Sequence, residues 1–218
     1  MGVEDDRAHL PAEVRGALGR SVPGSWTRLL GSLATGEADA YSDIDVEWVV
    51  PDGAFAGCVA SAESVLDRVL TVAEVRQDPD LLHSDRRRVL FVRFERVPLF
   101  WRLDLSVRAE SVADDVEYDA ANPAARAREG EWSRPASALA NALGAVKAVA
   151  RQRPDDARAL LRRGFDRIGE PDAVAGAQPR DIARLARASA RQDPRLAALA
   201  EQVAALAYEH RGRGSGAG

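Results

Sequence analysis

The residues best able to do chemistry lie between Gly31 and Val46, in the run GSLATGEADAYSDIDV. Gly31-Ser32 has the composition of a turn that lets backbone N–H groups approach a ligand. Glycine carries no Cβ to hold a phosphate away, and the Ser32 hydroxyl adds a donor. Ten residues separate Ser32 from Asp43-Ile44-Asp45. On a strand, Asp43 and Asp45 share one face with their Cα atoms about 7 Å apart, while Ile44 and Val46 turn to the other. Hard carboxylate oxygens at that span suit Mg²⁺, and a two-metal site wants its ions only ~3.5–4 Å apart. A third acid comes from the run Leu99 to Val107. There Leu103, Leu105 and Val107 point one way, and Arg102, Asp104 and Ser106 the other. An acid inside so apolar a strand is costly unless metal-bound or paired, and Arg102 and Arg93 are the candidate partners. Arg102 itself is open to two uses, a phosphate contact or that ion pair. Glu47 continues the Asp43/Asp45 face as a further acid with no assigned role.

These side chains need a sheet to hold them. Helical pattern over Ala8 to Leu18 is followed by the turn-forming Ser21-Val22-Pro23-Gly24-Ser25. Strands are expected at Trp26–Leu30 and Asp43–Val50, with a short helix after Gly31-Ser32. Phe55 to Leu70 has helical spacing. Val89–Phe94 and Val97–Val107 read as a hairpin turning at Glu95-Arg96. Beyond about residue 120 the chain is Ala-rich, and Pro135, Pro154, Pro179 and Pro194 each open an amphipathic helix. The expected class is α+β, with a mixed-sheet domain over 1–118, a helical bundle over 119–211 and a disordered Gly-rich tail over 212–218.

Composition removes several classes. A net charge of −4 across 218 residues argues against a basic nucleic-acid face. Cys58 is the sole cysteine, expected as a small buried residue, and His9, His83 and His210 lack metal-ligand spacing. The acidic N-terminus is not a secretory signal, and no apolar run reaches the ~18 residues of a membrane span, so a cytoplasmic protein is expected. Lys147 is the only lysine among 30 basic residues. Either it is an ordinary solvated helix residue, or it marks a position needing a compact ammonium.

Gly31-Ser32, ten residues, Asp43-x-Asp45 and the later strand residue Asp104 together resemble the signature of the DNA polymerase beta superfamily of nucleotidyltransferases. The run is most similar to the small bacterial branch, which includes the aminoglycoside (kanamycin-type) and the minimal nucleotidyltransferases. The resemblance covers residues 26–107. It implies that Asp43, Asp45 and Asp104 hold two Mg²⁺ ions, with Asp104 also a candidate base, and that Gly31 and Ser32 grip the triphosphate of an NTP, expected to be ATP. It adds Arg102 and Lys147 as nucleotide contacts, since kanamycin-type relatives place a helical-domain lysine on the phosphates. Leu33 and Thr35 depart from the pattern, standing where many relatives carry basic residues.

The implied function is transfer of a nucleoside monophosphate to the hydroxyl of a small-molecule acceptor, an aminoglycoside-like antibiotic being the best-known class. The active site would lie in a cleft between the two domains. Glu131 and Glu170 are alternative bases, and with Asp155, Asp156, Asp166 and Asp172 they would offer a cationic acceptor an acidic wall. The other readings are a toxin–antitoxin nucleotidyltransferase acting on a protein partner and a catalytically silent nucleotide-binding module. Nucleic acid and membrane are not expected partners.

Overall fold

The computed structural model describes residues 3–171, 176 and 178–209. The fold is α+β, a five-stranded mixed sheet with helices, followed by a helical region. The chain divides into two units, Met1–Glu129 and Gly130–Gly218. The expected boundary at 118/119 falls short of this division because the segment after it is tied to the sheet unit. His83 N–H donates to Ala125 O at 2.8 Å and Ala127 N–H to Pro79 O at 2.6 Å, and Ala125 is buried. The tail over 212–218 and Asp172 and His210 lie outside the described residues.

In the first unit, α1 (Val3–Ser21) leads to β1 (Trp26–Leu29), α2 (Gly31–Thr35), β2 (Ile44–Val50), α3 (Phe55–Asp67), β3 (Val72–Gln77), β4 (Arg87–Phe94) and β5 (Leu103–Ala109). The strand order is β1-β2-β5-β4-β3, parallel only between β2 and β5. Period-two alternation divides the side chains between two faces. One face carries Ile44, Val46, Trp48, Leu90, Val92, Phe94, Leu103, Leu105 and Val107, all buried. Helices α1 and α3 pack on the sheet, α1 against β1 and β2 and α3 against β3 and β5. They bring Val14, Leu18, Phe55, Cys58, Val65 and Leu66 into the core. Each such aliphatic or aromatic side chain contributes about 1.5–3 kcal/mol by leaving water. The opposite face carries the acids.

Sequence pattern located these strands, with two differences. The chain turns at Glu95-Arg96, but the turn does not close a tight hairpin between β4 and β5. Pairing resumes only at Val92↔Leu103, so the connection runs from Glu95 to Arg102, with Arg96 at φ 61. Strand β3 was not expected. Its residues are half-buried or exposed at the sheet edge, and Glu74, Arg76 and Gln77 obscure the alternation.

The second unit contains α4 (Arg134–Ala150), α5 (Pro154–Arg167), α6 (Pro179–Gln192) and α7 (Ala197–Glu209), each of the first three with its proline in the first turn as expected. Pro194 instead opens a short 3₁₀ turn that leads into α7. Helix α4 packs on α5 and α6, and α6 on α7. The approach is close at Gly164, where an added Cβ would run into Leu185.

Candidate active site

Asp45 sits on β2 and Asp104 on β5, and the two are direct partners in the parallel register. Neighbouring strands lie about 4.8 Å apart, so two carboxylates emerge side by side on the same face. Asp43 stands one residue before β2. A small hydrogen-bonded turn delivers it. The Ser42 hydroxyl donates to Asp39 Oδ1 at 2.9 Å, and the Tyr41 N–H donates to the same oxygen at 2.9 Å. Asp39 N–H donates to Ser42 Oγ at 3.0 Å, and Ser42 is buried. Ile44 N–H then donates to Arg102 O at 2.9 Å, which joins the approach to β2 with the approach to β5.

Gly31 meets this pair from the other side. Leu30 N–H donates to Asp45 O at 2.9 Å, so the chain leaving β1 turns directly over Asp45. Gly31 has φ 57, in the left-handed region that favours glycine, and a Cβ there would collide with the Asp45 carboxylate. Two independent constraints therefore require glycine at this position. Ser32 follows in the first turn of α2, which ends at Gly36 with φ 74.

Arg102 occupies the centre of the acids. Its Nε donates to Asp104 Oδ1 at 2.6 Å and its Nη2 to Asp104 Oδ2 at 2.7 Å, a two-point grip. Asp43 Oδ1 lies 3.9 Å from the same Nε. Burial works against the guanidinium charge, but the hydrogen bonds to Asp104 and the charges of Asp104, Asp43 and Asp45 outweigh it and raise its pKa. The guanidinium also lies over the Phe91 ring at 4.9 Å, and Phe91 is the register partner of Asp104 on β4. The ion pair is thus present, one of the two uses open to Arg102 in the sequence. As the side chains stand, no three His, Cys, Asp or Glu groups among the described residues are gathered to hold a metal.

Glu47, the acid without an assigned role, is a buried ion-pair centre. Arg28 Nε on β1 lies 2.6 Å from Glu47 Oε2, and Arg108 Nε on β5 lies 2.9 Å from Glu47 Oε1. These contacts are close but poorly angled, since neither Glu47 Oε2 nor Arg108 Nε has an aligned hydrogen-bond partner. The Arg108 guanidinium also holds Asp115 O at 2.6 Å. Burial, then the neighbouring Arg87, lowers the Arg108 pKa, with Glu47 acting in the opposite sense. Sequence reasoning missed Arg28, Arg108 and Phe91. All three lie on the acid face by strand alternation, so a face-by-face reading of β1, β4 and β5 was the available signal.

The structure thus brings Gly31, Asp43, Asp45, Arg102 and Asp104 together, with Ser32 next in chain. Lys147 belongs to the second unit, on α4, and its side chain is buried rather than solvated. Asp155 and Asp156 occupy the first turn of α5, where carboxylates favour the helix dipole, and Asp155 also pairs with Arg158. Cys58 is buried, and burial raises its thiol pKa. No helix among the described residues is long and apolar enough to cross a membrane.

Neither a family model nor a curated protein sequence matches the chain. Among solved structures it is similar to one described as "Structure and function of the polymerase core of TRAMP, a RNA surveillance complex", at 13% identity and a TM-score of 0.38. That likeness covers 98% of this chain and 59% of the other, so the chain spans less than two thirds of its neighbour's length.

Proposed function

We propose that the protein is a Mg²⁺-dependent nucleotidyltransferase that moves AMP from ATP to a hydroxyl of a small-molecule acceptor. One observation carries the reading. Asp43 and Asp104 share one cation, Arg102, while Asp45 stands beside Asp104 in the register with the Gly31 turn pressed against it. The donor set suits Mg²⁺ by its chemistry, since all three groups are hard carboxylates at adjoining strand ends and two of them already pair with a positive group.

Asp43, Asp45 and Asp104 would hold the metal. When bound, it would neutralise the triphosphate and lower the pKa of the acceptor hydroxyl. The Gly31-Ser32 turn offers backbone N–H groups and the Ser32 hydroxyl to phosphate oxygens. Arg102, once turned from Asp104, offers a planar fork to the same oxygens. Asp104 then accepts the acceptor's proton as its oxygen attacks the α-phosphorus and pyrophosphate leaves in line. Most of the rate enhancement would come from positioning and charge stabilisation. An aminoglycoside-like polycation is the acceptor class we favour.

Pyrophosphate release tests the reading. Purified protein with Mg²⁺ and each NTP is assayed against a panel of acceptors that includes aminoglycosides. ATP-dependent release that vanishes in Asp45→Asn is expected. Absence of release with every acceptor, or release unchanged in Asp45→Asn, overturns it. A nucleotide-binding module without turnover is the second reading, favoured by the grip Arg102 already has on Asp104.

A further inference from the structure

We infer that Arg102 is a resident counter-cation that competes with a divalent cation for Asp104 and Asp43, so that metal entry and release of this guanidinium are one exchange. The inference rests on the nucleotidyltransferase reading and deepens it. Three carboxylates held this close repel one another, and one positive group must offset them when no metal is present. Arg102 does so with two hydrogen bonds to Asp104 at 2.6 and 2.7 Å and an approach of 3.9 Å to Asp43. A divalent ion on the same oxygens competes with that grip, because each Asp104 oxygen already gives a lone pair to the guanidinium and the two cations repel each other at contact distance.

The exchange has a route. The side chains of Arg102, Asp43 and Asp104 are each about a fifth to a quarter exposed, so water and ions reach them. Arg102 precedes β5, so its long side chain swings without breaking a strand pair. The Phe91 ring at 4.9 Å gives the guanidinium an apolar-backed resting place beside the carboxylates, where a cation over a ring face is attracted. Three acids with one arginine carry a net charge of −2, and with the guanidinium withdrawn and one divalent ion bound in its place they carry −1, so the ion covers the acids better than the arginine does. Arg102 is therefore a positioning residue for the metal, and it becomes available to phosphate only after the exchange.

Metal affinity in the absence of nucleotide tests this. Binding of Mn²⁺ alone to the full chain is measured by electron paramagnetic resonance for wild type, Arg102→Gln and Arg93→Gln. Arg93 pairs with Glu74 at 3.5 Å and removes the same charge without touching Asp104. Arg102→Gln should bind Mn²⁺ about tenfold tighter or more, as expected for loss of a charge-assisted two-point competitor, and Arg93→Gln should stay within about twofold of wild type. In wild type, the ¹⁵N signal of Arg102 Nε, identified by its loss in the variant, should shift as Mg²⁺ is added. If Arg102→Gln fails to fold, Arg102→Lys carries the comparison: a single ammonium grips one oxygen less firmly, and Mn²⁺ affinity should rise in the same direction. Equal or weaker Mn²⁺ binding by the folded Arg102 variant overturns the exchange and leaves the metal site standing. No Mn²⁺ binding by any of these proteins overturns the metal-dependent reading itself.

Discussion

Asp45 and Asp104 stand opposite each other across the parallel pair β2–β5, and Arg102 bridges Asp104 to Asp43. Acids so placed add little to folding, and under the proposed function they would contribute mainly to chemistry. Asp43→Ala and Asp45→Ala should keep the wild-type melting temperature or raise it slightly. Their turnover in the pyrophosphate assay should fall at least a hundredfold, about 3 kcal/mol of lost charge stabilisation. Retention of a tenth of wild-type turnover by either would remove it from the metal-binding set.

Asp104→Asn separates a chemical from a structural role. Its partner Arg102 is partly exposed, so water compensates much of the lost pairing, and the stability cost should be about 1 kcal/mol. Turnover should drop with the aspartate variants above. A melting temperature lowered by many degrees, with activity per folded molecule preserved, would make Asp104 a structural ion-pair partner.

Gly31 and Gly36 provide an internal comparison. Both have positive φ, but an added Cβ meets the Asp45 carboxylate only at Gly31 and finds open space at Gly36. Gly36→Ala should cost roughly 1–2 kcal/mol of backbone strain and leave nucleotide KM unchanged. Gly31→Ala should cost more and raise that KM, because Asp45 or the turn must move. Equal effects on KM would show that the contact with Asp45 does not matter.

Much of this site was legible in the sequence because alternation and glycine chemistry are local. Asp43, Asp45 and Asp104 could be put on one face by counting residues, and Gly31 was marked by the turn it makes. The choice between metal and Arg102 for Asp104 was not legible, since it depends on which rotamer a long side chain takes. Glu47 had no role in sequence because its partners arrive from two other strands. Strand β3 was hidden by its edge position, where charged residues replace the apolar alternation of a buried strand. Lys147 was left open between a solvated helix residue and a position needing a compact ammonium, because its burial depends on helices that pack on α4 from elsewhere in the chain.

Glu47→Gln should be strongly destabilising for so small a change in shape. It leaves Arg108, whose side chain is 5% exposed, without its carboxylate. A loss of about 3 kcal/mol is expected, read as a lower urea midpoint with an unchanged slope. A cost within the error of the midpoint would show that the pairing is offset by its own desolvation.

Asp52 gives a pH prediction. Its hydrogen bond from the Ser111 hydroxyl is the main cause of its lowered pKa, with the Ser111 N–H and the Arg86 charge adding to it. A depressed carboxylate contributes stability that is present above its unfolded value of about 3.9 and is lost as pH falls through the lower folded value. The difference in unfolding free energy between wild type and Asp52→Asn should therefore shrink on acidification below about pH 4. A difference independent of pH would exclude this linkage.

The sheet ends in β1 and β3, and neither is a long, flat apolar strand. β1 has four residues, with Arg28 drawn onto Glu47, and β3 breaks register between Val72 and Glu74 and carries Glu74 and Arg76. Short length, charge and a bulge are features that stop a strand edge from templating another chain. Glu47, by holding Arg28 of β1 to β2, thus also keeps this short edge strand in place, and Glu47→Gln, by loosening β1 and baring the edge of β2 behind it, should make the protein more prone to aggregation.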